Sequence, residues 1–193
     1  MPVPTTLLNL EFDEARAAVD EGAIFVDLRP SLDYLDVHIP GSIALLYEFG
    51  PGMAARARDC LPLDVPLVVL DDGVSDCPHA AASLRGKGFR VLGAVDDAIN
   101  KWAAVASVSS TEVVTGETAP PATVVDVGDP GAEPFSEAMV VPIERLWARA
   151  GELAPKAPLA VVSGFGVRAA LAVGILERAG AGDVLVWSRR APR

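Results

Sequence analysis

Histidine and cysteine are scarce in this 193-residue chain, which has two of each: His38 and His79, Cys60 and Cys77. Two cysteines build no disulfide framework, and with only two histidines beside them a zinc site of Cys and His ligands is not expected. No metal and no cofactor are expected. Lysine is also rare, at 3 of the 16 basic residues, and the 26 acidic residues bring the net charge to −10. That balance excludes sequence-independent binding to nucleic acid or to an anionic membrane surface. No apolar run approaches the roughly 18–20 residues of a membrane-spanning helix. The start, Met1-Pro-Val-Pro-Thr-Thr-Leu-Leu, lacks the basic region that opens a secretory signal, so a cytoplasmic location is expected.

Hydrophobic residues make up 51% of the chain, enough to bury a core and to exclude wholesale disorder. The length fits one medium domain or two small ones. The charge is unevenly spread: residues 1–105 carry 8 basic and 16 acidic side chains, residues 106–193 carry 8 and 10. Between these halves, residues 106–120 are rich in Ser and Thr and run into Pro120-Pro121, which reads as a linker. Glu112–Val114 is an optional short strand within it.

Strand-like and helix-like segments alternate on both sides. In the first half, Phe12–Asp20 is an amphipathic helix, and Ala23–Asp27 is an apolar run ending in an acid, as in a buried parallel strand. Gly52–Cys60 reads as helix, Pro66–Leu70 as strand, Pro78–Gly86 as helix, Val91–Val95 as strand and Asp97–Val105 as helix. The second half repeats the order: strand Thr123–Asp126, helix Ile143–Ala150, strand Leu159–Val162, helix Arg168–Ala179, strand Asp183–Trp187. Such alternation implies α/β units on parallel sheets. The strand-ending acids Asp27 and Asp126 are 99 residues apart, a two-fold internal repeat.

Two segments of the first half are specific in combination. One runs Val26-Asp27-Leu28-Arg29-Pro30, then Tyr34, then His38-Ile39-Pro40-Gly41-Ser42-Ile43. The other is the strand, loop and Ala-rich helix from Pro66 to Phe89. Together they resemble the rhodanese (thiosulfate sulfurtransferase) superfamily, and the second half resembles a more degraded copy. The resemblance implies an α/β fold: two rhodanese-like domains, each a central mainly parallel sheet flanked by helices, at 1–105 and a shortened 121–193. It also implies persulfide chemistry, in which a cysteine thiolate takes a sulfane sulfur and passes it on. A strand-to-helix loop serves this by aiming backbone N–H groups and a helix N-terminus at the thiolate and at an anionic substrate.

The loops depart from that scheme. The resemblance places the first nucleophile directly after the strand Pro66–Leu70, where Asp71 stands, in the loop Asp71-Asp72-Gly73-Val74-Ser75-Asp76-Cys77. Asp76 takes the place of the loop arginine. Three carboxylates so placed repel thiosulfate and are expected to raise one another's pKa. In the second half the nucleophile position falls on Ser163, in the loop Ser163-Gly164-Phe165-Gly166-Val167-Arg168. Here Gly166 and Arg168 match the family, so the loop keeps the makings of an anion-binding cradle without the sulfur.

Asp71 and Ser163 are therefore degenerate nucleophile positions. Cys77, read as the N-cap of the helix starting at Pro78, is the one candidate for displaced catalysis; the alternative is a buried thiol opposed by carboxylates. Asp27, Arg29, His38, Pro40 and Gly41 form the structural family motif, with Asp27 and Arg29 paired and His38 bonded to backbone at its turn. The expected function is a binding, regulatory or scaffold module with a protein or small-anion partner and no sulfurtransferase activity. The alternative is a persulfide carrier that uses Cys77.

Overall fold

Short apolar runs form the inner strands of two parallel sheets, and three of them end in an acid, at Asp27, Asp71 and Asp126. The computed structural model describes residues 6–48, 50, 52–128, 135, 137–163 and 166–188. In the first half, β1 (Ile24–Asp27) lies between β2 (Ile43–Ala44) and β3 (Leu67–Asp71), with β4 (Val91–Asp96) beyond, all parallel. The helices α1 (Phe12–Asp20), α2 (Ser31–Asp36), α3 (Gly52–Cys60), α4 (Cys77–Gly86) and α5 (Ala98–Ala103) flank this sheet. β1 is buried at every position, which is why its sequence runs apolar instead of alternating.

The second sheet has the order β5-β9-β8-β6-β7, again all parallel. Its strands are β5 (Val113–Thr115), β6 (Thr123–Asp126), β7 (Met139–Val140), β8 (Leu159–Val162) and β9 (Val184–Ser188), with helices α6 (Ile143–Leu153) and α7 (Gly166–Arg178). Without β5, the order β7-β6-β8-β9 matches β2-β1-β3-β4 position for position. β5 also has a counterpart: Leu8–Leu10 bridges β4 in parallel, with Leu10 N–H donating to Ala94 O and Ala94 N–H to Leu8 O. The 106–120 stretch thus contains sheet, because its Val113-Val114 pair completes the edge beside β9.

One core runs through both halves. A single cluster includes Ile24, Val26, Leu35 and Ile43 of the first half and Val161, Leu171, Ile175 and Leu176 of the second. α7 is its hinge pin. Ala169–Leu176 are buried without a break, so the helix is covered on all sides, as an all-round apolar helix must be. α4, at the matching place in the first half, buries one stripe: Cys77, Ala80, Ala81 and Leu84. α7 sits this close because residue 174 is glycine. A Cβ there would lie 2.1 Å from Ser42 O and 2.8 Å from Tyr34 Oη.

Several boundaries differ from the sequence reading. α4 begins at Cys77 rather than Pro78, and its N-cap is Asp76, whose carboxylate accepts from His79 N–H at 3.0 Å. An aspartate is the stronger cap, which displaces Cys77 into the first turn. α6 continues to Leu153, because Ile143, Leu146, Ala150 and Leu153 make one buried stripe. α5 is shorter than expected, since Asp97 adopts a left-handed φ of 49° and stands outside the helix. Among the described residues no helix is long and apolar enough to cross a membrane.

Candidate functional site

The parallel register brings the strand ends of the first half into one row. Asp27 pairs with Leu70, Leu70 with Val95, and Asp71 with Asp96. The chain turns to β2 on one side of β1 and to β3 on the other, and ligands of open α/β sheets bind at such a reversal of strand order. A cavity of about 510 Å³ opens there, lined by residues that include Asp27, Arg29, Val37, Asp71, Asp72, Asp96 and Asp97. Five carboxylates thus face one guanidinium among the described lining residues.

That guanidinium is already committed. Arg29 Nη2 donates to Asp27 Oδ2 at 2.7 Å and Nε to Oδ1 at 3.0 Å. Nη2 also donates to Val37 O at 2.7 Å, and Arg29 N–H to Asp27 Oδ1 at 3.0 Å. Burial lowers the Arg29 pKa, but the hydrogen bond and charge of Asp27 outweigh it, so the pKa is raised and the cation is secure. A bidentate pair of this kind orders the loop after β1 and leaves little of its charge for an anion.

The loop from β3 to α4 is a set of carboxylate-capped turns. Asp71 accepts from Gly73 N–H at 2.9 Å. Asp72 accepts from Val74 N–H at 2.9 Å, from Ser75 N–H at 2.7 Å and from Ser75 Oγ at 3.0 Å. Backbone donors that would cradle an anionic substrate are therefore spent on the loop's own side chains. The expectation that these acids raise one another's pKa fails at Asp72. Burial pushes that carboxyl up, but the bonds from Ser75 and Val74 win and hold it below the usual range.

Cys77 lies under this loop, 2% exposed, with its Sγ 3.9 Å from Leu70 O. Burial, then the charges of Asp71, Asp72 and Asp76, push its thiol up to about 12. The thiolate is the nucleophile, and here it is suppressed. Cys60 is equally buried on α3, its thiol also pushed up to about 12 by burial and by Glu144 and Asp59. His79 is exposed on α4, its Nδ1 3.2 Å from Tyr47 Oη.

In the second half Ser163 follows β8 and is half-buried. Gly164 and Phe165 lie outside the described residues. Gly166 and Val167 open α7, and Arg168 Nη1 donates to Glu144 Oε1 at 3.2 Å. Asp126, the counterpart of Asp27, accepts from Gly128 N–H at 2.8 Å and from Phe135 N–H at 3.2 Å.

The turn from His38 to Ser42 stands apart from the loops and meets α7. His38 is fully buried and stacks on Tyr34 with ring centroids 4.2 Å apart. Its Nδ1 donates to Tyr34 O at 2.8 Å, and its Nε2 lies 3.0 Å from Glu177 Oε2. Pro40 is exposed; Gly41 adopts φ +72° and donates its N–H to the same Glu177 oxygen at 3.1 Å. Glu177 carries no signal in the sequence, since its partners lie 136 and 139 residues away.

Residues 11–105 match the rhodanese-like domain family. The chain is 34% identical over 92 residues to the thiosulfate sulfurtransferase GlpE of Pseudomonas savastanoi pv. phaseolicola (strain 1448A / Race 6), covering 48% of this chain and 83% of that protein. It is 33% identical over 90 residues to the GlpE of Pseudomonas syringae pv. syringae (strain B728a), covering 47% and 81%. Among solved structures, the crystal structure of thiosulfate sulfurtransferase from Pseudomonas aeruginosa aligns with 94% of this chain at 20% identity and a TM-score of 0.44. This chain spans 41% of the length of that one. The chain belongs to the rhodanese-like domain family.

Proposed function

We propose that the chain is a tandem of rhodanese-like domains, 1–105 and 121–193, with the connecting 106–120 adding the edge strand β5 to the second sheet, and that it works as a binding module and not as a sulfurtransferase. The observation that carries this is the charge inversion at the strand ends of the first half. Asp71 and Asp72 stand where the family mechanism needs a thiolate and its anion cradle. The lining carboxylates outnumber the single, Asp27-paired Arg29. A dianion such as thiosulfate meets repulsion in this cavity, so uncharged or cationic groups are its occupants. Cys77 supplies no substitute, because its thiol is buried and held protonated.

In the second half, Ser163 forms no persulfide, and Arg168 keeps a partner in Glu144. Any small anion bound there has to compete with that carboxylate. The test is a thiosulfate-to-cyanide sulfur transfer assay on the full chain. The expected result is no turnover above the uncatalysed rate. Robust turnover that disappears in Cys77→Ser overturns the reading in favour of a persulfide carrier.

A further inference from the structure

The cavity belongs to the first half, yet part of its wall is held from the second. Val37 lines it and accepts from Arg29 Nη2 at 2.7 Å. The next residue is His38, with both ring nitrogens engaged, one by Tyr34 O and one by Glu177 of α7. One oxygen of Glu177 thus serves two points of the turn, His38 Nε2 at 3.0 Å and Gly41 N–H at 3.1 Å. Beyond the turn, Leu45 N–H donates to Asp27 O at 2.8 Å, which ties the segment back to the strand carrying the cavity's ion pair.

We propose that Glu177 is a positioning residue through which the second half sets the geometry of the first half's cavity. The path is short and made of charge-assisted or buried bonds: Glu177 to His38 and Gly41, His38 to Val37 along the chain, and Val37 O to Arg29. Geometry makes the assignment specific to this carboxylate. α7 makes a second polar contact with the first half, Arg178 Nη2 donating to Gly22 O at 3.1 Å, but Gly22 lies at the far end of β1 from the cavity. An interface that served stability alone would have no reason to distinguish the two contacts. The inference uses the cavity's walls and holds whichever occupant the cavity takes.

The test is NMR on the full chain, reading the Arg29 Nη–H signal, the Gly41 amide, and the Val125 and Val161 amides in the interior of the second sheet. In Glu177→Ala, exchange at Gly41 and at Arg29 Nη–H is expected to rise about tenfold or more, while Val125 and Val161 hold. Glu177→Gln keeps one acceptor oxygen and restores Gly41 to within about threefold of the native rate. It is also the variant to use if the alanine form does not fold. Arg178→Ala leaves Arg29 unchanged. The inference is overturned if Arg29 is unmoved when Gly41 loosens, if all four sites accelerate together, or if Arg178→Ala moves Arg29 as far as Glu177→Ala does. Failure here leaves the sulfur-transfer result untouched, so the two readings fall separately.

Discussion

The two halves end their first inner strands in the same way and then diverge at one residue. Asp27 and Asp126 each accept from the backbone N–H two residues on, at 3.0 and 2.8 Å. In the first half that residue is Arg29, which returns a bidentate guanidinium to the aspartate and joins it to the turn at Val37. In the second half it is Gly128, and the free side of Asp126 takes Phe135 N–H instead. The backbone motif is common to both halves and the ion pair is not. A Cβ at position 128 would stand 2.8 Å from Asp126 Oδ1, the oxygen that Gly128 N–H itself bonds. The lesson is that the strand-end aspartate is first a backbone cap, and the arginine is what turns it into a cavity wall.

The helices that follow the second inner strands, β3 and β8, differ as sharply. Gly174 of α7 is pressed on Ser42 O, whereas Ala82, 92 residues earlier on α4, is only half-buried. Gly174→Val should therefore have the largest effect of any single change, about 4 kcal/mol or more, because neither the helix nor the turn it meets can withdraw. Ala82→Gly should cost no more than about 1 kcal/mol, the ordinary helix penalty. Thermal or urea unfolding of the two variants measures both, and equal losses would remove α7's special place.

Next in size is the strand-end pair. Asp27→Ala leaves Arg29 half-buried without its carboxylate and should cost about 3 kcal/mol or more. Asp126→Ala removes hydrogen bonds to two backbone donors and should cost about 1–2 kcal/mol. Urea midpoints for the two variants, compared at equal m-value, order them; an Asp126 variant as damaged as the Asp27 one would mean the ion pair adds nothing.

The smallest effect is a difference in alkaline response. Both cysteines lie in the first half, and burial raises each thiol from its usual 9.0 to about 12. A group whose folded pKa is raised contributes stability that is complete below its unfolded pKa and is lost as pH climbs through the folded one. Stability should therefore fall between about pH 9 and 12, and amide exchange should loosen the first sheet before the second. Replacing Cys60 and Cys77 together by Ala should flatten that slope; an unchanged slope would place its origin elsewhere.

Much of the fold was legible because buried parallel strands must be apolar. The inner strands ending at Asp27, Asp126 and Val162 stand out for that reason, and so does the unbroken apolar run of α7. β2 and β7 were not legible, being two residues long and set by pairing alone. α2 escaped as well, because only Tyr34 and Leu35 of its six residues are buried. At the site, the aspartates of the β3–α4 loop were visible from sequence, but their role as turn caps depends on backbone directions that sequence does not carry. Cys77 was misplaced by one position because Asp76 competes for the cap. Glu177 was invisible, since its contact with Gly41 spans 136 residues.

The most direct test of the central claim is the mass of Cys77 itself. The full chain is incubated at pH 8 with thiosulfate and, separately, with a low-molecular-weight persulfide, then digested and weighed. A thiol held near 12 is ionised in about one molecule in 10⁴ at that pH, so the Cys77 peptide should keep its unmodified mass. Stoichiometric gain of one sulfur atom on that peptide, absent from Cys77→Ser, would contradict the account and make the loop a working sulfur carrier.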